Sequence, residues 1–274
     1  MAYLRRMTDH DPTDEGARDG LGAASEPPAP DPRRAAQANG KPALPRRFYA
    51  EAGVAQAEGG FRLALDGRLA NTPARRPLTL PTRALAEAVA AEWGAQGEAI
   101  DPATMPLTRL ANTALDGVAD RRAEVEADLG AYAGTDLVAY RAGEPDRLVA
   151  AQAAAWDPLL DWAREAFGVR PILSEGVMHV DQPDASTAAL RAAIGGAEGP
   201  FRLAALHTMT TLTGSLLIAL AVLHGRLAPQ DAWEAAHVDE AYQASVWGRD
   251  EEAEARMAYR RAEFDAAATV ARAG

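Results

Sequence analysis

The sequence predicts an α+β fold: a small, β-rich N-terminal unit followed by a mostly α-helical C-terminal one. Three observations carry this reading. Phe61, Leu63 and Leu65 alternate with Arg62 and Ala64 and run into Asp66-Gly67 and Leu69, the pattern of a β-hairpin closed by a tight turn. After Asp101-Pro102 the apolar residues recur at helical spacing. Finally, Leu203 to Gly225 contains no acid, lysine or arginine, which predicts a helix buried on nearly every side. The expected division is a tail over 1–44, an α+β domain over 45–117 and a helical domain over 118–274.

Residues 1–44 are rich in Pro, Asp, Gly, Ala and Arg without apolar period, so they are expected to form a disordered tail. Asp9, Asp11, Asp14, Glu15 and Asp19 are unlike the acid-poor composition of a transit peptide. Order is expected to begin near Arg46-Arg47-Phe48-Tyr49. Beyond the hairpin, Pro77 to Leu80 is a second extended piece, and Thr82 is a good N-cap for a helix that places Leu85, Val89 and Trp93 on one buried face.

The helical part shows one stripe through Leu107, Leu110, Ala111, Ala114, Leu115 and Val118, and another through Val125, Leu129 and Tyr132. A third follows Val149, Gln152, Trp156, Leu159, Leu160, Ala163 and Phe167, with Asp157-Pro158 expected to kink or restart the helix. Pro171 to Val180 is read as one or two short strands, and Asp184 to Ile194 as a capped helix. In the apolar stretch, Gly214 and Ser215 are expected to admit a close neighbour and Gly225 to end the helix. A membrane span over Leu203–Gly225 is disfavoured, because four threonines, a serine and two histidines interrupt the run. Pro229 to Trp247 reads as one helix, and a terminal helix turns Ala253, Met257, Phe264 and Ala268 inward.

Composition narrows the function. A net charge of −11 disfavours nucleic acid or an anionic membrane as partner and leaves protein as the better one. The absence of cysteine removes disulfides, thiolate catalysis and cysteine-bound zinc. Lys41, in the expected tail, is the one lysine, so no Walker lysine is available, and the glycine-rich, nucleophile-elbow and zinc-protease motifs are also missing. No cofactor or metal is expected, since His10, His179, His207, His224 and His237 lack ligand spacing.

One acid stands out. On a single helix Trp233, His237, Glu240, Ala244 and Trp247 would form one stripe, so Glu240 would be either buried and hydrogen-bonded or displayed at a tryptophan-rimmed binding surface, with Arg109, Arg202 or Arg226 as internal partners. The apolar character of that face favours a structural role coupled to binding. Asp239 is expected to be exposed.

Collinear segments over Arg46–Glu263 give the chain a family likeness. They are Arg47-Phe48-Tyr49, Leu65-Asp66-Gly67-Arg68, Asn71-Thr72-Pro73, Ala91-Glu92-Trp93, Met105 to Thr113, Thr135-Asp136-Leu137, Tyr140-Arg141-Ala142, Gln152 with Trp156 to Leu160, Gly214-Ser215-Leu216, Asp239-Glu240 with Gln243, Trp247-Gly248 and Asp250 to Ala253. The chain thereby resembles the mitochondrial and alphaproteobacterial assembly chaperones that bind the free alpha subunit of the F-type ATP synthase. The resemblance implies a non-enzymatic holdase that needs no nucleotide and keeps the unassembled alpha subunit from aggregating. It implies that Glu240 is functionally essential, that Asp239, Gln243 and Trp247 share its partner-binding segment, and that Trp93 is important. The acidic tail favours a bacterial cytoplasmic member without membrane insertion. Two other readings stay open: a hydrolase using Glu240 or Asp239 with His237, and an accessory subunit docked to a membrane complex through the central apolar helix.

Overall fold

A computed structural model describes residues 44–273 apart from Val177 and Arg249, and they form one compact unit. The expected tail, with Lys41 and His10, lies outside the described residues save for Leu44.

Four strands build the N-terminal sheet. β1 (Ala52–Ala57) and β2 (Gly60–Leu65) pair antiparallel with Ala57 opposite Gly60, and β2 pairs on its other side with β3 (Arg68–Leu69) and β4 (Thr79–Leu80). The expected hairpin is present. Asp66 and Gly67 both take positive φ, 47° and 74°, as a two-residue turn between twisted strands requires. The strain at Asp66 is compensated locally, since its carboxylate accepts the Ala50 and Glu51 N–H groups at 3.0 and 2.8 Å. β1 was not expected: Ala-Gly-Val-Ala-Gln-Ala lacks the bulky alternation that marks a half-buried strand.

Helix α1 (Arg83–Gly94) starts where Thr82 accepts the Leu85 N–H, and it buries Leu85, Ala86, Val89 and Ala90 on β1 and β2. Helices α2 (Pro106–Asp116), α3 (Arg122–Tyr132), α4 (Asp146–Phe167) and α5 (Asp184–Ile194) follow, with β5 (Tyr140–Arg141) and β6 (Ser174–Glu175) forming a two-stranded parallel ribbon. Two expectations are corrected here. Pro158 neither ends nor restarts α4, which runs through it, and α5 begins after Pro183 without a side-chain cap.

The apolar stretch is two helices rather than one. α6 (Gly199–Thr213) stops at Gly214, whose φ of 69° no helix interior accepts, and α7 (Leu216–Leu223) starts two residues later, after Ser215. All eight residues of α7 are buried, and α4, α5 and α6, the helix over Pro229–Ala236 and the last helix, Glu251–Ala273, pack around it. Its C-terminus closes at Gly225, where Gly225 N–H reaches Val222 O and Arg226 N–H reaches Ala221 O, as a left-handed glycine cap requires. No described helix is long and apolar enough to cross a membrane.

What makes the break tolerable is Asp136. Its fully buried carboxylate accepts Ser215 Oγ–H at 2.6 Å and Leu217 N–H at 2.9 Å, while Ser215 Oγ accepts Ile218 N–H at 3.0 Å. Leu137 N–H meanwhile donates to Gly214 O at 3.1 Å. A carboxylate at a helix N-terminus is electrostatically well placed. Burial nevertheless dominates and pushes its pKa up to about 6, against the lowering effect of these bonds.

This shift has a sign. A carboxyl group with a folded pKa above its unfolded one adds stability below the unfolded value, and that increment is lost as pH rises through about 6. Asp136→Asn removes the titration at the cost of a capping acceptor. Between about pH 3 and 7 the stability of the parent relative to Asp136→Asn should fall with rising pH by about 3 kcal/mol, the equivalent of roughly two pK units. Urea midpoints of both proteins across that range provide the check.

Candidate interaction face

Two short helices, α8 (Pro229–Ala236) and α9 (Val238–Trp247), replace the single helix expected over 229–247. The break is at His237, with φ −122° and ψ 30°. A carbonyl can only accept, so His237 Nδ1 carries the proton that it shares with Trp233 O at 2.8 Å, and its ring lies 3.9 Å from the Trp233 ring. Trp233 in turn packs on Phe264 and lies under Arg261. The α8 carbonyl of Ala235 accepts Trp156 Nε1–H at 2.7 Å. Trp233 and His237 therefore belong to the core, and the stripe that was to join them to Glu240 is cut.

Past the break the two acids exchange the places expected of them. Asp239 is half-buried and accepts Gln152 Nε2–H at 2.7 Å, while Gln152 Oε1 accepts Ala142 N–H at 2.8 Å. Gln152 is itself only 2% exposed, so it is a buried clamp between α4, the end of β5 and the start of α9. Glu240 is exposed and has no hydrogen-bonding or ion-pair partner among the described residues. Of the arginines considered for it, Arg109 is engaged by Glu263 instead. Glu240 opens on a hollow of about 290 Å³, shared with Asp239, His237, Thr211 and Arg260. Arg260, which donates to Leu212 O at 2.7 Å, was not singled out from sequence.

No residue of α9 is fully buried. Glu240, Gln243 and Trp247 stand at offsets 0, 3 and 7, one helical face, and all three are exposed, Trp247 by 85%. Gly248 at φ 89° ends α9, and Asp250 then caps the last helix, α10 (Glu251–Ala273), by accepting Ala253 N–H at 2.7 Å. Residues 251–256 are all exposed, including Ala253, which was expected inward. Burial of α10 starts in earnest at Phe264. The segment from 238 to 260 is thus a helical pair with its apolar side chains Val246 (53%), Trp247 and Tyr259 (49%) open to solvent among the acids Glu240, Asp250, Glu251, Glu252 and Glu254. Val246 and Tyr259 carry no sequence signal of their own, because a lone apolar residue on a helix reads as core.

Trp93 lies elsewhere, at the junction of α1 and α2. It is half-buried, its Nε1–H donates to Thr108 Oγ1 at 3.1 Å, and its carbonyl accepts the Tyr49 hydroxyl at 2.7 Å. Its neighbour Glu92 caps α2 from outside the helix, accepting Leu107 N–H, Thr108 N–H and Thr108 Oγ1–H at 2.7 to 2.8 Å. Burial raises the Glu92 pKa, and those bonds oppose it. The next residue on α2, Arg109, bonds to Tyr259 at 3.1 Å and to Glu263. Trp93 therefore does not touch the exposed face of α9. It holds α1 on α2, the helix that anchors α10.

Chemically, His237, Asp239 and Glu240 adjoin one hollow, but the ring of His237 is turned to Trp233 and Asp239 to Gln152. Among the described residues no three His, Asp or Glu side chains are grouped so as to hold a metal ion.

Residues 46–164 match the family model described as ATP12 chaperone protein. Among solved structures, Atp12 from Paracoccus denitrificans is 46% identical, with 83% of this chain and 97% of that one covered and a TM-score of 0.76. The Atu1473 protein from Agrobacterium tumefaciens is also 46% identical, over 90% of this chain and 92% of that one, with a TM-score of 0.80.

The different settings of the two acids make opposite forecasts for stability. Asp239→Leu leaves the buried Gln152 amide unpaired and should cost about 1–3 kcal/mol, whereas Asp239→Asn keeps an acceptor in place and should cost less. Glu240→Gln, on the exposed side, should stay within about 0.5 kcal/mol of the parent. Denaturant midpoints of the three variants decide this, and a large loss for Glu240→Gln would contradict the assignment.

Proposed function

The chain belongs to the ATP12 chaperone family, and from that premise we propose that it binds the unassembled alpha subunit of the F-type ATP synthase and keeps it from aggregating before the catalytic ring closes. The observation that carries the proposal is the exposed α9 face, where Glu240, Gln243 and Trp247 stand together without partners for the carboxylate or the indole among the described residues. A subunit awaiting its ring neighbours exposes an apolar interface, and a holdase needs a surface that covers part of it reversibly. A protruding tryptophan beside an unpaired carboxylate is such a surface, since aromatic anchors dominate binding energy and charges set partner choice. Trp93 supports this surface through α2 and α10 rather than touching the client, and Asp239 supports it through Gln152.

The action is non-catalytic in this reading. His237 is a core residue whose ring stacks on Trp233, and the hydroxyls that line the same hollow, Thr211 and Thr213, donate to carbonyls of their own helix rather than to the imidazole. Docking to a membrane complex through the central apolar helix is disfavoured, because every residue of α7 is covered by neighbouring helices. The proposed site of action is the bacterial cytoplasm, on a client met before assembly.

The test is to hold isolated alpha subunit at an aggregating concentration and titrate in the chaperone. Trp247→Ala should leave the thermal midpoint unchanged and weaken suppression at least about tenfold, the equivalent of about 1.4 kcal/mol. Glu240→Gln should weaken it less in high salt than in low. Full suppression by Trp247→Ala together with Glu240→Gln, at parent concentrations, would remove α9 as the client face.

A further inference from the structure

β1 is an edge strand, paired on one side with β2 and on the other with no described strand. The pairing parity follows from one bond: Asp66 N–H donates to Glu51 O at 3.0 Å, so Glu51 and Asp66 are a hydrogen-bonded pair. In an antiparallel ladder such pairs alternate, which turns the N–H and C=O of Gly53, Ala55 and Ala57 toward β2. The same groups of Ala52, Val54 and Gln56 point out of the sheet. Native proteins blunt an open edge with lysine, proline or a bulge. β1, six residues reading Ala-Gly-Val-Ala-Gln-Ala, has no charge and no proline, and its register is unbroken from end to end.

Beside this edge is a hollow of about 430 Å³ between Gly53 and Val54 on the strand and Ala90, Ala91 and Gly94 on α1. A Cβ added at Gly53 or at Gly94 would meet nothing within 4 Å, so both walls stand back from the space between them. Arg83 and Glu87, also at its rim, face one another at 3.7 Å and leave the hollow without net charge from that pair. A strand edge flanked by a helix offers backbone pairing along one wall and a side-chain pocket along the other.

We infer that β1 and α1 form a docking groove for an extended polypeptide segment with an unpaired backbone and uncharged, apolar side chains at alternate positions. The open groups of Ala52, Val54 and Gln56 choose the occupant, because only another strand satisfies N–H and C=O in that alternation. The small residues of the hollow accept one side chain of every two, and the mutual neutralisation of Arg83 and Glu87 selects an uncharged one. The occupant is a segment of a polypeptide not yet folded or assembled, in which such a stretch has no strand partner of its own. The groove is built from elements other than α9, and the inference does not depend on which subunit is the client.

The experiment uses the full chain and a fluorescent peptide of about ten residues alternating valine and serine, a length that spans an ordinary strand. Anisotropy should show saturable binding, with slowed hydrogen exchange at the amides of Ala52, Val54 and Gln56. Val54→Pro removes an outward N–H without touching the β2 ladder. Ala91→Glu, on the exposed side of α1, fills the hollow without altering the strand and serves where the proline disturbs it. Each should lower affinity at least about tenfold, while Trp247→Ala leaves it unchanged, which keeps this result separate from the client assay. Equal binding by the parent and both variants, or no change in exchange at the three amides, would overturn the proposal. Protection of those amides without peptide, whether with dimer formation or in a monomer, would overturn it too, since the edge would then be occupied by a second copy or from within.

Discussion

A single buried carboxylate holds the helical part of this molecule together. Asp136 sits in the loop before β5, yet it closes the N-terminus of α7 and engages the serine that separates α7 from α6. Without it the break at Gly214 and Ser215 would leave N–H groups unpaired in the driest part of the core, at about 1–3 kcal/mol each. With it, two helices that share one apolar sequence diverge, and α7 can be surrounded on all sides. The cost is an ionised group in a place that disfavours ionisation, which is why its pKa rises although every bond it accepts pulls the other way. Fold and titration are consequences of the same geometry.

The α8–α9 break repeats the device with donors from another helix. There the donors come from α4, where Trp156 and Gln152 are four residues apart and reach Ala235 and Asp239, also four residues apart. The two helices thus meet rung for rung at the break. Tertiary bonds replace those that a continuous helix would have made, and the direction of the chain changes as a result. That change moves Trp233 and His237 into the core and turns Glu240, Gln243 and Trp247 out of it.

Much of this architecture is legible in the sequence, and the unreadable parts have a common cause. The Asp66-Gly67 hairpin, the Thr82 cap, the α2 and α4 stripes and the extent of α5 follow from local periodicity and turn chemistry. Periodicity fails where a long-range bond overrides it. Nothing between Leu203 and Gly225 announces that Asp136 will cap its middle, and nothing between Pro229 and Trp247 announces Trp156. The inversion of Asp239 and Glu240 is a direct result: a stripe drawn through an unbroken helix puts the wrong carboxylate inside. Pro158 is the reverse case, a strong local signal overruled by a helix whose buried face runs on through Leu159 and Ala163. β1 escapes because its side chains are too small to show alternation, the same property that leaves its edge open.

The exposed face also sets a limit on how tightly it can bind alone. A tryptophan buries roughly 150–250 Å² in a contact, worth about 4–6 kcal/mol at ordinary transfer values. Association costs about 4–15 kcal/mol in lost freedom before any affinity remains. Over most of that range Trp247 would not hold a partner unaided, so the proposed role draws also on Val246 and Tyr259 on the same helical pair and on the charge of Glu240. Such a margin suits the proposed holdase role, in which the client must leave when its true neighbours arrive. It also explains the acids that surround the anchor. An exposed tryptophan on a neutral helix would invite self-association, whereas Asp250, Glu251 and Glu252 beside it make two copies of this face repel one another while leaving it open to a partner of complementary charge.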